Sequence, residues 1–163
     1  MGTPTLAVHA PRVTVRNDPE ISDLPDPVLV VEDHPLHARL LRIALSALLD
    51  RPIEVFCDGS LAAARLADAS LPVPVLMVFD LDVPGRDGHA LLKSCASDPR
   101  LVSVPRAIVT SSGLTADRER CLAAGAVLYE EKPSDSEGFV SLAARLAALI
   151  ASPETGRPSF GSG

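Results

Sequence analysis

Apolar and polar positions fall in blocks along this chain, and the blocks switch between two lengths. Short, nearly unbroken apolar runs stand at 28–33 (VLVVED), 53–58 (IEVFCD), 73–80 (VPVLMVFD), 106–112 (RAIVTSS) and 126–131 (AVLYEE). Continuous runs of this length predict strands covered on both faces, as in a parallel sheet. Between them the pattern changes to a helical one, at 60–69, 89–98, 115–125 and 135–151. A further helix follows the first strand, where Pro35 suits the first turn because its missing N–H costs nothing there. Leu36, Leu40, Ile43 and Ala47 are expected to form its apolar face. In the fourth helix Thr115 is the expected N-cap and Gly125 the expected C′ residue. Five βα units predict a doubly wound α/β fold, a five-stranded parallel sheet between helices.

The two ends differ from this rhythm. Residues 1–26 carry scattered prolines and no helical period, which predicts an N-terminal arm. Residues 152–163 are rich in Pro, Gly and Ser and predict a loose tail. The folded domain is therefore expected over 27–151. At 163 residues the chain has the length of one domain, and with 47% hydrophobic but 3% aromatic residues its core must be aliphatic. A net charge of -6 argues against nucleic-acid binding by bulk electrostatics. No segment has the length and apolarity of a membrane span, and the N-terminus lacks a secretory pattern. The three cysteines (Cys57, Cys95, Cys121) are widely spaced in apolar surroundings. Buried free thiols in a cytoplasmic protein are expected.

In an open parallel sheet, ligands bind beyond the carboxyl ends of the strands. The polar residues at those ends are Glu32 and Asp33, Asp80, Thr110 and Lys132. Three carboxylates sharing a small site repel one another unless a cation joins them, and Mg2+ suits oxygen ligands beside a phosphoryl group. Asp80 is then placed to attack phosphorus and become an aspartyl phosphate. Thr110 would donate to one phosphoryl oxygen and Lys132 would balance charge on another. Each residue alone is a weak signal, because strand ends commonly carry acids and turn residues. Their joint occurrence at successive strand ends carries the reading.

These motifs, "VVEDHP", "DLDVPGRDG", "VTSS" and "EKP", resemble the receiver domain of bacterial two-component response regulators. Thr110 lies 30 positions and Lys132 52 positions beyond Asp80, spacings similar to those of the family. The resemblance covers about 27–151. It implies a flavodoxin-like (βα)5 sheet in strand order 2-1-3-4-5, with Asp80 as phosphoacceptor and Thr110 and Lys132 as its partners. It also implies Mg2+ held by Glu32, Asp33, Asp80 and the backbone carbonyl of Asp82. Tyr129 falls at the family's switch aromatic, which would move inward with Thr110 on phosphorylation. The Lys132–Pro133 peptide is expected to be cis, as is typical of the family. The implied partner is a sensor histidine kinase or a phosphotransfer protein, and the implied role is signalling rather than enzymatic turnover. The stretch "SDPRLVSVPRAIVTSS" further resembles small response regulators that partner bacterial phytochrome kinases.

Two other readings compete. Haloacid-dehalogenase phosphatases also use Asp-x-Asp, a Thr or Ser and a Lys, which Asp80, Asp82, Thr110 and Lys132 mimic. Those enzymes require a further acidic motif after the lysine, whereas here only Asp135, Glu137 and Glu154 follow. A phosphorylation-independent scaffold of the same fold would not need all five site positions filled. Asp82 is unusual for a receiver and is expected to be either a solvated loop carboxylate or a tuner of phosphoryl lifetime. His34 and His37 are spaced for a metal pair but lack a third ligand, so helix-end and surface roles are expected. In the last helix Phe139, Leu142, Ala143, Leu146 and Ile150 form one apolar face, and Val140, Ala144, Ala148 and Ala151 lie on the other. A helix so poor in charge predicts a homodimer through residues 137–151 and the fifth strand.

Overall fold

A computed structural model describes residues 25–151. Most of the expected arm and all of the expected tail therefore lie outside the described residues. Ten elements alternate: β1 (Val28–Val31), α1 (Pro35–Leu48), β2 (Ile53–Phe56), α2 (Gly59–Ala67), β3 (Leu76–Phe79), α3 (Gly88–Ser97), β4 (Arg106–Thr110), α4 (Thr115–Ala123), β5 (Leu128–Glu131) and α5 (Ser136–Ala151). The five strands are parallel in the order β2-β1-β3-β4-β5, as expected. Each strand is shorter than its run, which also takes in loop residues at one or both ends.

Side-chain alternation splits the sheet between two cores. Leu29, Val31, Met77, Phe79 and Ile108 face α2, α3 and α4, together with Tyr129. Val28, Val30, Leu76, Val78, Ala107 and Val109 face α1 and α5. The central strands β1, β3 and β4 are buried throughout, while the edge strands β2 and β5 are partly open. That burial explains why the central strands are unbroken apolar runs. On α5, Phe139, Leu142, Ala143 and Leu146 are buried as expected, with Ile150 packed at the margin. Truncating a fully buried leucine such as Leu142 to alanine costs about 2–5 kcal/mol.

Three local expectations are corrected. On α1 the buried stripe is Leu41, Ala44 and Leu45; of the expected face Leu40 is half-buried and packs on this core, whereas Leu36 and Ile43 are more than half exposed and Ala47 is also exposed. Apolar residues surround most of this helix, and its contact with both the sheet and α5 selects a stripe one position round from the expected one. Thr115 is the first helical residue of α4; its N-cap position is Leu114, which has no side-chain cap. Cys57 is exposed, since it follows an edge strand, whereas Cys95 and Cys121 are buried. Gly125 does follow α4 with φ at 97°, the left-handed conformation expected of a C′ glycine.

Two acids cap the helices that frame the site. Asp58 accepts from Ser60 N and Leu61 N at the start of α2, and Asp87 from Ala90 N at the start of α3. The β3–α3 loop is fastened to α2 through Gly59 N donating to Pro84 O (2.9 Å). A Cβ at Gly59 would overlap the Arg86 carbonyl, and one at Gly88 would overlap the carbonyl of Asp80. Among the described residues, no helix is long and apolar enough to cross a membrane.

Candidate functional site

The sheet ladder extends past the strands and fixes the site. Glu32 N donates to Phe56 O, Asp80 N to Val31 O and Lys132 N to Thr110 O, each at 2.9–3.0 Å. Adjacent strand ends therefore present their polar side chains on one rim. Glu32 and Asp80 are each 4% exposed, Thr110 is fully buried, and Asp33 is exposed.

Lys132 Nζ lies 2.6 Å from Asp80 Oδ2 and 2.8 and 3.0 Å from the two carboxylate oxygens of Glu32. The second oxygen of Asp80 accepts from Asp82 N (3.2 Å), and Glu32 Oε1 accepts from His34 N (3.0 Å). Burial works to lower the Lys132 pKa, but the hydrogen bonds and charges of Asp80 and Glu32 together outweigh it and hold it above the ordinary lysine value. Carboxylate oxygens of Glu32, Asp33 and Asp80 lie within 4.8 Å of one another. The ammonium contacts Glu32 and Asp80 but not Asp33, so the trio offers more hard oxygen donors than one cation satisfies. The donor set thus fits a divalent cation such as Mg2+.

The remaining expected residues divide. Thr110 Oγ1 accepts from Ser112 N (3.3 Å), and among the described residues no hydrogen bond links it to Asp80. Tyr129 is already inward at 5% exposure, its hydroxyl donating to Ser112 O (2.9 Å). The Arg118 guanidinium lies 5.8 Å from the ring centroid and donates to Tyr129 O. Burial pushes the tyrosine pKa up, with the Ser112 bond opposing it. Asp82 has an exposed side chain. The Lys132–Pro133 peptide is trans, since the described residues include no cis peptide; the cis expectation is corrected. The ammonium is held by its two carboxylates with the peptide trans.

His34 and His37 stack on each other (4.1 Å between centroids), and His37 stacks on Phe139 (5.6 Å). They join the start of α1 to α5. Burial, then the neighbouring His34, lowers the His37 pKa. Asp135 accepts from Gly138 N at the start of α5, a helix-end contact that does not supply the downstream acid a dehalogenase-type site needs. Sequence reasoning missed four residues around the rim: His89, Ser112, Asp117 and Arg118. Ser112, two residues past Thr110, had a positional signal; the others meet only through α3–α4–β5 packing.

The profile for the response regulator receiver domain matches residues 28–144. Response regulator PleD of Caulobacter vibrioides is 31% identical over 122 residues, covering 75% of this chain and 25% of PleD. Response regulator Rcp1 of Synechocystis is 30% identical over 96 residues, 56% of this chain and 65% of Rcp1. The chain thus spans less than two thirds of either protein. It spans 94% of two-component response regulator ORR41 of Oryza sativa, at 32% identity over 123 residues and 74% of this chain. The Mn(2+)-bound form of Rcp1 superposes with a TM-score of 0.73 at 23% identity, over 82% of this chain and 100% of that one. The phosphorylated cyanobacterial phytochrome response regulator RcpA gives 0.70 at 24%, over 82% and 99%. These likenesses bear on the fold. With the profile matching most of the folded residues and ORR41 matched nearly end to end, this chain belongs to the response regulator receiver domain family.

Proposed function

We propose that this protein is a cytoplasmic phosphoacceptor of two-component signalling, built on the domain 27–151, with Asp80 as the reacting carboxylate. The observation that carries this reading is the Lys132 ammonium held on buried Asp80 and Glu32, with Asp33 completing the acidic trio. A carboxylate oxygen of Asp80 attacks the phosphorus of a phosphohistidine on a kinase or phosphotransfer protein. The N–P bond breaks, its electron pair returns to the imidazole nitrogen, and that nitrogen takes up a proton. Water later attacks the same phosphorus and the acyl O–P bond breaks, releasing inorganic phosphate. Lys132 stays beside the new phosphoryl oxygens, and the Thr110 hydroxyl turns from Ser112 N to donate to one of them. Glu32, Asp33, Asp80 and the Asp82 carbonyl would hold Mg2+, which when bound supplies charge neutralisation among these oxygens. The product is a changed surface rather than a released metabolite, so the role is that of a signalling protein.

Two finer readings accompany it. The segment 97–112 and the likeness to RcpA favour a phytochrome-class kinase as donor. Exposed Val140 and Ala144 on α5, beside edge strand β5, favour a homodimer through these elements; a monomer by light scattering at micromolar concentration, with and without phosphorylation, would refute that part. The central test is incubation with radiolabelled candidate kinases: wild type takes the label and Asp80→Asn does not. Transfer that survives Asp80→Asn overturns the assignment.

A further inference from the structure

Around Tyr129, four side chains from three elements form a chain of polar contacts that the phosphoacceptor chemistry does not use. His89 is the second residue of α3, next to Gly88, which packs against the Asp80 carbonyl. Its Nδ1 lies 3.6 Å from Cys121 Sγ and its Nε2 lies 3.7 Å from Asp117 Oδ1, both on α4. The other oxygen of Asp117 accepts from Ser112 Oγ at 2.6 Å. Ser112 is the hub of the β4–α4 loop. Its N donates to Thr110 Oγ1, its Oγ accepts from Leu114 N, and its carbonyl accepts from the Tyr129 hydroxyl. The partners suit one tautomer of His89, with Nε2–H toward the Asp117 carboxylate and Nδ1 accepting from the Cys121 thiol.

This chain acts on an element with little else to hold it. Cys121 is the only buried residue of α4, so apolar burial fixes that helix weakly and polar contacts decide where it sits. His89 meets α4 at Cys121 and at Asp117, one turn apart on the same face. Asp117 in turn orders Ser112, and Ser112 captures Tyr129. We infer that His89, acting through Asp117 and Ser112, is a positioning residue for the Tyr129 switch, keeping the β4–α4 loop in the form that receives the inward ring. The inference rests on the proposed reading in one respect: Thr110 shares Ser112 with Tyr129, so the latch biases the equilibrium that phosphorylation of Asp80 draws on.

The chain has one tyrosine and no tryptophan, so intrinsic fluorescence reports Tyr129 alone. Acrylamide quenching of the unphosphorylated protein is measured for wild type, His89→Leu, His89→Gln and Ser112→Ala. Phosphorylation by a small-molecule phosphodonor with Mg2+ is titrated in parallel. His89→Leu should expose the ring, with a quenching constant raised toward that of free tyrosine. It should also raise the donor concentration at half-phosphorylation roughly two- to fivefold, the effect of losing one long, weak polar contact on a two-state equilibrium. His89→Gln, which keeps a donor for Asp117, should return both readouts most of the way to wild type. If His89→Leu does not fold, Ser112→Ala breaks the same chain at its other end and should give the same two shifts. Quenching and midpoint unchanged in the folded variant would overturn the inference. Quenching does not depend on phosphoryl transfer, so a wild type that refuses the phosphoryl group defeats the proposed function while leaving the His89 test standing.

Discussion

Lys132 is the cation on which the unliganded acidic site depends, and its loss should be costly in a way that Mg2+ reverses. The perturbation is Lys132→Met, which keeps the aliphatic length and deletes the charge. In the folded protein the ammonium stands 2.6 Å from Asp80 and 2.8 Å from Glu32, with all three side chains less than a tenth exposed. At an effective dielectric constant near 20, each pair is worth about 6 kcal/mol of gross attraction. Desolvation offsets much of that. What the substitution leaves behind is two buried carboxylates with no counter-ion, which costs about 3–5 kcal/mol. The assay is urea unfolding with and without Mg2+. Wild type should gain modestly from the ion, about 2.7 kcal/mol when it is present at about a hundred times its dissociation constant. The variant should gain more, because two unneutralised acids attract the ion more strongly. The pH dependence has a definite sign. The folded-state pKa of Lys132 lies above its ordinary value, so its contribution is present in full below about pH 10.4 and disappears as pH rises through the raised folded value. The stability gap between wild type and variant should therefore hold steady from neutral pH upward and close only in strong alkali. A Lys132→Met protein as stable as wild type at pH 7, or stabilised equally by Mg2+, would refute the reasoning.

Three other outcomes are expected. Asp82→Asn should change the phosphoryl lifetime by roughly tenfold or less, because an exposed loop carboxylate lacks the fixed geometry of a general base; identical decay of the label in the two proteins would remove Asp82 from the chemistry. Buried Arg106 donates to the carbonyls of Leu101, Val102 and Gly125, so Arg106→Met should cost about 2–4 kcal/mol in urea unfolding through acceptors left unpaired, while phosphorylation at the far end of the sheet persists. Thiol labelling at pH 8 should modify exposed Cys57 quickly and spare Cys95, whose burial pushes its pKa up to about 11; urea should then expose all three cysteines, and rapid labelling of two in the native protein would contradict the packing.

The strand order and the acidic site were legible because both depend on where buried apolar runs end. VLVV and LMVF are buried on both faces, so the first polar residue after each run falls on the ligand-binding rim. That places Glu32 and Asp80 together; Lys132 follows two glutamates on the partly open edge strand β5 and reaches them through the strand order. The α1 stripe was not legible, because Leu36, Leu40, Leu41, Ile43, Ala44 and Leu45 offer the helix several apolar faces and only docking to the sheet and α5 selects one. Thr115 looked like a cap by residue type, whereas Ser112 in fact orders that loop from a position outside the helix. Cys57 looked buried by its neighbours, but the run it ends is an edge strand, a fact of topology rather than of composition. His89 carried no local signal, since its partners Asp117 and Cys121 are far along the chain and meet it only when α3 and α4 lie side by side.

The clasp between the β3–α3 loop and the start of α2 has a consequence for how variation at this protein should be read. Gly59 and Gly88 carry no functional group, yet each abuts a main-chain carbonyl within the segment 80–86. A methyl group at either would displace that segment and, with it, the Asp80 carboxylate. A saturation screen scored on signalling output would therefore rank these two glycines alongside Asp80 and Lys132. It would mistake steric tenants for chemical ones unless abundance were measured in the same cells.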